Sequence, residues 1–213
     1  MTAYLGLGSN LGRRKDNLAR AIRLFSGSMA GGSQKMGETS PVSLHQGEMG
    51  CVRPTRGSSL YETSPWGYAG QPDFLNLVLE VRTTSSPTEL LESAKALEKE
   101  MGREPGIRYG PRLIDVDILL YGDLVFDEPG LQIPHPRLHQ RMFVLAPLEE
   151  LAPGLMHPTL RLTIEQLAHR ADGQEGVKLW GPPPYPTHSG DAGPVDNPPR
   201  LPHIVWSKSM LRS

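Results

Sequence analysis

The chain has 213 residues, and its 22 lysines and arginines nearly balance its 23 aspartates and glutamates, giving a formal net charge of −1. This balance excludes the broad basic surface that nucleic-acid or anionic-membrane binding requires. A single cysteine excludes an internal disulfide and a cysteine-rich metal cage, and no basic-then-apolar leader is visible. We therefore expect a cytoplasmic protein without nucleic-acid or membrane partners. We also expect a monomer, although nothing in the composition determines the oligomeric state.

The N-terminal residues predict a strand over 4–10 and a helix over 13–25, with Leu18, Ile22 and Phe25 on one helix face. Glycines at positions 6, 8 and 12 match neither the dinucleotide-binding fingerprint nor a phosphate loop. On its own, this glycine pattern indicates no more than a tight strand-to-helix turn. Residues 26–57 hold seven glycines and few paired apolar residues, which predicts a long loop insertion.

The next strong pattern is a strand over residues 74–82. One face is fully apolar, and the other presents Phe74, Asn76 and Val78. The apolar face consists of Leu75, Leu77, Leu79 and Val81. An aromatic ring beside an amide suits a flat heterocycle. From these residues alone, however, a core phenylalanine beside a turn-capping asparagine is the preferred explanation.

A helix follows, and its start is marked by a capping box from Ser86 to Glu89 with Pro87 at the first helical position. An apolar stripe continues to Gly102 through Leu90, Leu91, Ala94, Leu97 and Met101. We expect this stripe to pack in the core and Glu98 beside it to be solvated.

Two aspartates, Asp115 and Asp117, interrupt the very apolar run of residues 112–121. In a strand the two carboxylates would share one face, about 6–7 Å apart. The opposite face would hold Ile114, Val116, Ile118 and Leu120. Two like charges in such a run favour a divalent cation, most simply Mg²⁺ bound by carboxylate and phosphate oxygens. The alternative is an edge strand whose aspartates point into water.

The loop before this run holds Arg103, Arg108 and Arg112 among glycines and prolines. Arginines beside paired carboxylates suggest phosphate chemistry, with metal on one side of the phosphoryl group and guanidinium on the other. The alternative is that the arginines only neutralise the aspartates.

A second group of polar residues follows the aspartate run. His135 lies between two prolines and precedes a helical segment with Arg141 and Phe143, which adds groups suited to phosphate oxygens and a second aromatic ring. From residue 173 onward the chain is rich in proline and glycine, which predicts a flexible extension over 173–213.

Taken together, five blocks over roughly residues 1–170 resemble the 6-hydroxymethyl-7,8-dihydropterin pyrophosphokinase family of folate synthesis. The blocks are Gly8-Ser9-Asn10, residues 58–67, residues 72–76, Gly110-Pro111-Arg112 followed by Asp115 and Asp117, and Pro134-His135-Pro136-Arg137. The resemblance implies an α+β fold with a ferredoxin-like core, in which helices pack on a central antiparallel sheet. It places a single domain at 1–172.

The resemblance also implies the reaction, namely transfer of the pyrophosphoryl group of ATP to the pterin hydroxymethyl oxygen with release of AMP. Asp115 and Asp117 would hold two Mg²⁺ ions, and Arg103 and Arg112 would be lid arginines. The ATP contacts would be His135, Arg141 and Tyr109, the last standing where the family often has a tryptophan. The pterin contacts would be Asn76 at its edge, Phe74 and Phe143 on its faces, and the backbone from Thr63 to Trp66.

Two other functions remain open from the sequence. One is a different Mg²⁺-dependent transferase with an Asp-x-Asp strand, such as a sugar-nucleotide enzyme. The other is a relative that binds pterin or nucleotide without turnover.

Overall fold

The computed structural model describes residues 1–27, 51–65, 70–103 and 110–184, which form eight strands and four α-helices. In chain order these are β1 (Thr2–Ser9), α1 (Arg14–Gly27), β2 (Val52–Gly57), β3 (Leu60–Thr63), β4 (Phe74–Thr83), α2 (Pro87–Glu100), β5 (Asp115–Tyr121), β6 (Phe126–Glu128), β7 (Leu131–Ile133), α3 (Met142–Leu151), α4 (Ile164–Arg170) and β8 (Val177–Gly181).

Six strands form one antiparallel sheet in the order β5-β1-β4-β3-β8, and β2 pairs with β4 alongside β3. If β3 is left out, the order of elements along the chain is β1-α1-β2-β4-α2-β5. The order of the same strands in the sheet is β5-β1-β4-β2. This combination is the ferredoxin-like arrangement, so the predicted fold class is confirmed.

Helices cover both faces of the sheet, and each face has its own core. Residues of α1 and α2 pack with Leu75, Leu77, Leu79 and Val81 of β4, as the alternation in that strand predicted. Val78 of the same strand packs on the opposite face with α3 and α4. The face that presents Phe74 and Asn76 is therefore the face covered by α3.

The capping box at α2 is confirmed, because Ser86 Oγ accepts the Glu89 N–H and the Glu89 carboxylate accepts the Ser86 N–H. The stripe of this helix is also in the core. Leu90, Ala94, Leu97 and Met101 are buried, and Leu91 is partly buried at the margin.

The predicted loop over 26–57 is wrong at both ends. Helix α1 continues to Gly27, and residues 52–57 form β2, paired with β4. Val52 and Pro54 are buried while Arg53 and Arg56 are exposed, so β2 alternates inside and outside despite its proline, which a strand at the margin of a sheet tolerates. Residues 28–50 lie outside the described part of the chain.

The boundary predicted at residue 172 is also wrong. Residues 177–181 form β8, which pairs with β3 and therefore belongs to the main sheet. A flexible extension beginning at 173 does not describe these five residues. The part of the predicted extension from 185 to 213 lies outside the described residues.

Strand β5 contains an irregularity that the alternating pattern did not predict. Its pairing with β1 moves from Leu5 with Ile118 to Tyr4 with Leu120, which leaves Leu119 as an extra residue. Ile118 therefore packs on the α2 face, whereas Leu119 and Leu120 both pack with α3, contrary to the face expected for Leu120. Among the described residues, no helix combines the length and apolar character needed to span a bilayer.

Candidate active site

A cleft crosses three adjacent strands on the α3 side of the sheet, and glycines in the middle strand form its floor. Gly8 of β1 is in register with Asn76 of β4 on one side and Asp115 of β5 on the other. Gly6 is in register with Asp117. The small residues of β1 thus leave space between an amide on β4 and two carboxylates on β5.

Gly8 has a specific steric role in this floor. A Cβ atom at this position would lie 2.7 Å from Asn76 Oδ1, which is closer than real side chains approach. The glycine is therefore required for Asn76 to occupy its observed position. The N-terminal glycine pattern predicted only a turn, although a glycine inside a strand pattern signals the close approach of another group.

At one end of the cleft an aromatic ring and an amide lie together. Asn76 is 8% exposed, and its Nδ2 donates to Thr63 Oγ1 at 2.7 Å, which fixes the orientation of the amide. Phe74 lies beside it on β4, and Phe143 of α3 also lines the cleft. The function of Asn76 as a turn cap is excluded, because its side chain bonds across strands to β3. Trp66, the remaining predicted residue at this end, lies outside the described residues.

At the other end, the two aspartates have different cationic partners. Arg103 Nη1 and Arg112 Nη1 lie 3.1 and 2.5 Å from Asp115 Oδ1. Arg141 Nη1 lies 3.4 Å from Asp117 Oδ2. The pairing proposed as the simple neutralising alternative is thus present.

The position of β5 also bears on the alternative of a water-facing edge strand. This strand does lie at the edge of the sheet. Its two aspartate side chains nevertheless line the cleft and are only 30% and 39% exposed.

The electrostatics of Asp117 favour a bound cation. Burial and the neighbouring Asp115 carboxylate raise the pKa of Asp117, and the positive charge of Arg141 only partly offsets this. A divalent cation would relieve the repulsion between the two carboxylates. Within the described part of the chain, no cluster of three or more His, Cys, Asp or Glu side chains could hold a metal by itself. The donor set therefore fits Mg²⁺, which takes one or two carboxylates and completes its coordination with phosphate oxygens and water.

His135 is a neutral donor rather than a cation. Burial and the positive charges of Arg141 and Arg137 lower the pKa of His135 to about 4. Its Nδ1 accepts the Arg137 N–H at 3.1 Å, so the neutral ring has its proton on Nε2. This Nε2 is 3.9 Å from Asp117 Oδ2 and faces the cleft.

Glu98, expected to be solvated, is instead buried with 1% of its side chain exposed. Its Oε1 accepts the Val116 N–H at 2.9 Å, between the two aspartates, and also pairs with Arg103. Lys95 Nζ contacts the other carboxylate oxygen at 3.2 Å. The apolar stripe of α2 placed Glu98 beside the core, but only the tertiary packing of α2 against β5 supplies the partners that bury it.

Most of the predicted site residues meet in the cleft. Those that line it are Thr63, Phe74, Asn76, Arg112, Asp115, Asp117, His135, Arg141 and Phe143. Arg103 contacts Asp115 from outside this lining. Tyr109, like Trp66, lies outside the described residues. Gln71 also lines the cleft and, like Gly8 and Glu98, was not predicted from the sequence.

A second cleft adjoins the first at Asp117 and His135, which line both. Its other walls come from α2, β5 and the segment around β7, and they include Leu91, Lys95, Ile118, Gln132 and Pro136. A ligand that extends between the two clefts would therefore pass the carboxylate and the neutral imidazole.

Comparison with known proteins places the chain in a family. The model of the family described as 7,8-dihydro-6-hydroxymethylpterin-pyrophosphokinase (HPPK) matches residues 4–153. A 2-amino-4-hydroxy-6-hydroxymethyldihydropteridine pyrophosphokinase of Bacillus subtilis is 38% identical over 179 residues, covering 84% of this chain and 89% of the relative. A protein of the same name from Aquifex aeolicus is 38% identical over 165 residues, covering 78% and 89% of the two chains.

Solved structures agree on the fold. A Plasmodium falciparum HPPK-DHPS aligns with a TM-score of 0.55 at 18% identity, covering 79% of this chain. This chain spans only 45% of that longer protein, so the likeness concerns the fold of one part. From the match over residues 4–153 and the identity to relatives of similar length, the chain belongs to the 7,8-dihydro-6-hydroxymethylpterin-pyrophosphokinase family.

Proposed function

We propose that this protein transfers the pyrophosphoryl group of ATP to the hydroxymethyl oxygen of 6-hydroxymethyl-7,8-dihydropterin, giving AMP and the pterin diphosphate. The observation that supports this most directly is that an aromatic-amide end and a carboxylate end lie in the same cleft. In the reaction the hydroxymethyl oxygen forms a bond to the β-phosphorus of ATP. The bond from that phosphorus to the oxygen bridging to AMP breaks, and the hydroxyl proton is lost.

The aromatic-amide end suits the pterin. A pterin edge alternates hydrogen-bond donors and acceptors, which matches an amide that offers both. Thr63 holds Asn76 in place, so the amide is oriented before the ligand arrives. Phe74 and Phe143 supply apolar surfaces for the two faces of the ring. Trp66 is proposed to add a contact at the same end.

We propose that Asp115 and Asp117 would hold two Mg²⁺ ions at the triphosphate end of the cleft. When bound, the metal neutralises phosphate charge and helps align the reacting oxygens. The protein's own contribution is the fixed spacing of the two carboxylates on β5, which the bond from Val116 N–H to Glu98 supports.

The second cleft is proposed to hold the nucleoside of ATP, with the triphosphate crossing into the first cleft beside Asp117. The neutral His135 can donate from Nε2 to a phosphate oxygen at this crossing. Arg141 supplies positive charge there, and Tyr109 is proposed to join from the loop.

Arg112 and Arg103 are proposed to differ in their contact with the transferred group. Arg112 lines the cleft and lies three residues before Asp115, whereas Arg103 is tied to the buried Glu98. An arginine at a phosphoryl transition state is worth about 10³–10⁵ in rate. We propose that Arg112 contributes more of this than Arg103, and single-turnover rates of Arg112→Ala and Arg103→Ala test it. Equal, small losses would rule it out.

The protein is proposed to act in the cytoplasm as a monomer on these two small molecules.

The decisive experiment is incubation with ATP, Mg²⁺ and the hydroxymethyl-dihydropterin, followed by separation of the nucleotides. AMP formed in equal amount to the pterin diphosphate supports the proposal. ADP would indicate a simple kinase, and no nucleotide product would indicate a protein that only binds. Asp117→Asn should abolish AMP formation, whereas Asp123→Asn, an exposed aspartate just beyond β5, should not.

A further inference from the structure

Asn10 follows β1 and is 2% exposed, yet its polar atoms reach two separate loops around the cleft. Its backbone N–H donates to the Arg112 carbonyl at 3.1 Å, and its Oδ1 accepts the Arg112 N–H at 2.7 Å. Its Nδ2 donates to Gln71 Oε1 at 3.0 Å and to the Pro72 carbonyl at 3.2 Å. One buried side chain therefore joins the segment before β4 to the segment before β5.

These two segments serve opposite ends of the cleft. Gln71 lines the cleft and Pro72 lies just before Phe74 and Asn76, where the pterin is proposed to bind. Arg112 approaches Asp115 at the phosphate end, where its Nη1 lies 2.5 Å from the carboxylate. A shift of either segment that moves the Asn10 side chain would therefore change its bonds to the other segment.

Another residue, Asn17, already stabilises the turn in which Asn10 lies. Asn17 of α1 supports the same turn from behind, because its Nδ2 donates to Ser9 Oγ at 3.1 Å and to the Leu11 carbonyl at 2.9 Å. Asn17 thus holds the residues on either side of Asn10, while the Asn10 side chain bonds outward to the two loops.

We propose that Asn10 is a positioning residue that couples the two ends of the cleft, so that pterin binding at the Gln71 side places Arg112 for the nucleotide. By thermodynamic linkage, nucleotide binding must improve pterin binding by the same factor. This inference rests on the proposed function, since it assumes that the two ends bind these two ligands.

The test measures the dissociation constant of α,β-methylene-ATP with Mg²⁺, in the absence and presence of saturating 6-hydroxymethylpterin. The methylene bridge replaces the oxygen at the bond that would break, so the complex cannot react. We expect the pterin to tighten nucleotide binding to the unaltered chain by at least about fivefold, which is the lower range for coupled sites.

Asn10→Asp keeps the bonds on one side and removes those on the other. The carboxylate still accepts the Arg112 N–H, but it has no N–H to donate to Gln71 and Pro72. We expect each ligand alone to bind within about threefold of its normal affinity, and the coupling factor to fall below about twofold. Asn17→Ala is the matched control, since it weakens the same turn and leaves both loop contacts. It should lower thermal stability and retain the full coupling factor.

Gln71→Met gives a second test if Asn10→Asp folds poorly, since it removes the acceptor from the other side of the bridge and should also lower the factor. A full factor in Asn10→Asp, a factor of one in the unaltered chain, or equal loss in Asn17→Ala would each overturn the coupling. Failure of the unaltered chain to bind the nucleotide in the first titration, or to bind 6-hydroxymethylpterin in a direct titration with the nucleotide present, would overturn the proposed function and this inference together.

Discussion

At the scale of single residues, the two aspartates of the cleft have unequal environments. Asp115 accepts from two guanidinium groups, whereas Asp117 has Arg141 at 3.4 Å and a neutral imidazole at 3.9 Å. Burial and the Asp115 charge raise the pKa of Asp117, so its ionised form is held at a cost in the ligand-free protein. Asp117, whose carboxylate has the weaker cationic contacts, is therefore the residue that a bound cation would stabilise more.

Asp115→Asn and Asp117→Asn should therefore affect stability in opposite ways. Without nucleotide or Mg²⁺, Asp117→Asn should leave the free energy of unfolding unchanged or raise it by less than about 1 kcal/mol, because solvent screens this partly exposed site. Asp115→Asn should lower it by about 1–2 kcal/mol, because two arginines lose the negative charge of their partner. Each variant should lose at least about 10²–10³-fold in turnover.

Urea unfolding and AMP release measure these two quantities separately. Equal destabilisation by the two substitutions would contradict the assigned difference in partners. Asp123→Asn, at an exposed position, should change neither measurement.

Gly8 is the other residue whose role is steric and specific. Gly8→Ala would place a methyl group 2.7 Å from Asn76 Oδ1, so the amide must turn away from its bond to Thr63. We expect pterin affinity to fall by at least about tenfold, or about 1.4 kcal/mol, with nucleotide affinity nearly unchanged.

Gly6→Ala is the matched control on the same strand. Its added Cβ would first meet the flexible side chain of Leu119 at 3.4 Å rather than the amide. We expect a smaller effect on pterin binding, and ligand titration by calorimetry compares the two variants. An equal loss in both would show that any side chain on this strand blocks the cleft, independently of Asn76.

At the scale of secondary structure, α2 and β5 are joined by the buried carboxylate of Glu98. Its bond to Val116 N–H and its pair with Arg103 link the helix to the strand between the two aspartates. Glu98→Ala should lower the free energy of unfolding by about 2–3 kcal/mol, because it leaves a buried N–H and part of an ion-pair network unsatisfied.

The matched control for Glu98→Ala is Glu92→Ala, on the exposed side of the same helix. Its effect on the free energy of unfolding should stay within about 0.5 kcal/mol. Denaturant unfolding measures both, and a solvated Glu98, as the sequence first suggested, would give equal values.

The elements that could be predicted are those whose local signals agree with their packing. The capping box of α2 and the alternation of β4 each specify one structure, and the Asp115 run could be placed on a strand for the same reason. Strand β2 was missed because a proline, a glycine and two arginines make up most of it. Strand β8 was missed because it is only five residues long and is followed directly by a proline-rich stretch. Pairing with β4 or β3 supplies most of what stabilises them.

The site could be predicted where residue chemistry was unusual, such as paired carboxylates in an apolar run. It could not be predicted where a residue is ordinary and only its neighbours make it special. Glu98 is an acidic residue on a helix, and Asn10 is an asparagine after a strand. Both acquire their roles through contacts with residues distant in the sequence.

At the scale of the whole molecule, two buried neutral histidines make stability depend on pH. The pKa of His135 is lowered to about 4, and burial also lowers the pKa of His157. The unfolded chain binds protons on both rings below about pH 6.5, whereas His135 of the folded chain binds a proton only near pH 4 and His157 only below its ordinary range. The contribution of His135 is therefore present above pH 6.5 and is lost as the pH falls toward 4, and the contribution of His157 is lost in the same direction.

Between pH 7.5 and 5.0, His135 alone should account for a loss of about 2 kcal/mol in the free energy of unfolding. Asp117 acts in the opposite sense, since its raised pKa favours the folded state at acid pH. The comparison should therefore be made with His135→Gln, whose loss over the same interval should be smaller by that amount. Urea unfolding at the two pH values measures it.

The control for the pH dependence is His169→Gln, which changes an exposed histidine of α4. In this variant the loss that His135 contributes between the two pH values should remain. If His135→Gln also matches the unaltered protein, the imidazole is not held neutral by the fold.

The arrangement of the cleft floor across three neighbouring strands has a consequence for substrate choice. Asn76 and Asp115 lie on either side of Gly8, which separates them by two strand spacings, or roughly 10 Å. That span is set by peptide hydrogen bonding and does not adjust to a ligand. The sheet therefore selects alcohols by length. If an alcohol is shorter than this distance, its oxygen cannot reach the carboxylates while its ring is bound at the amide.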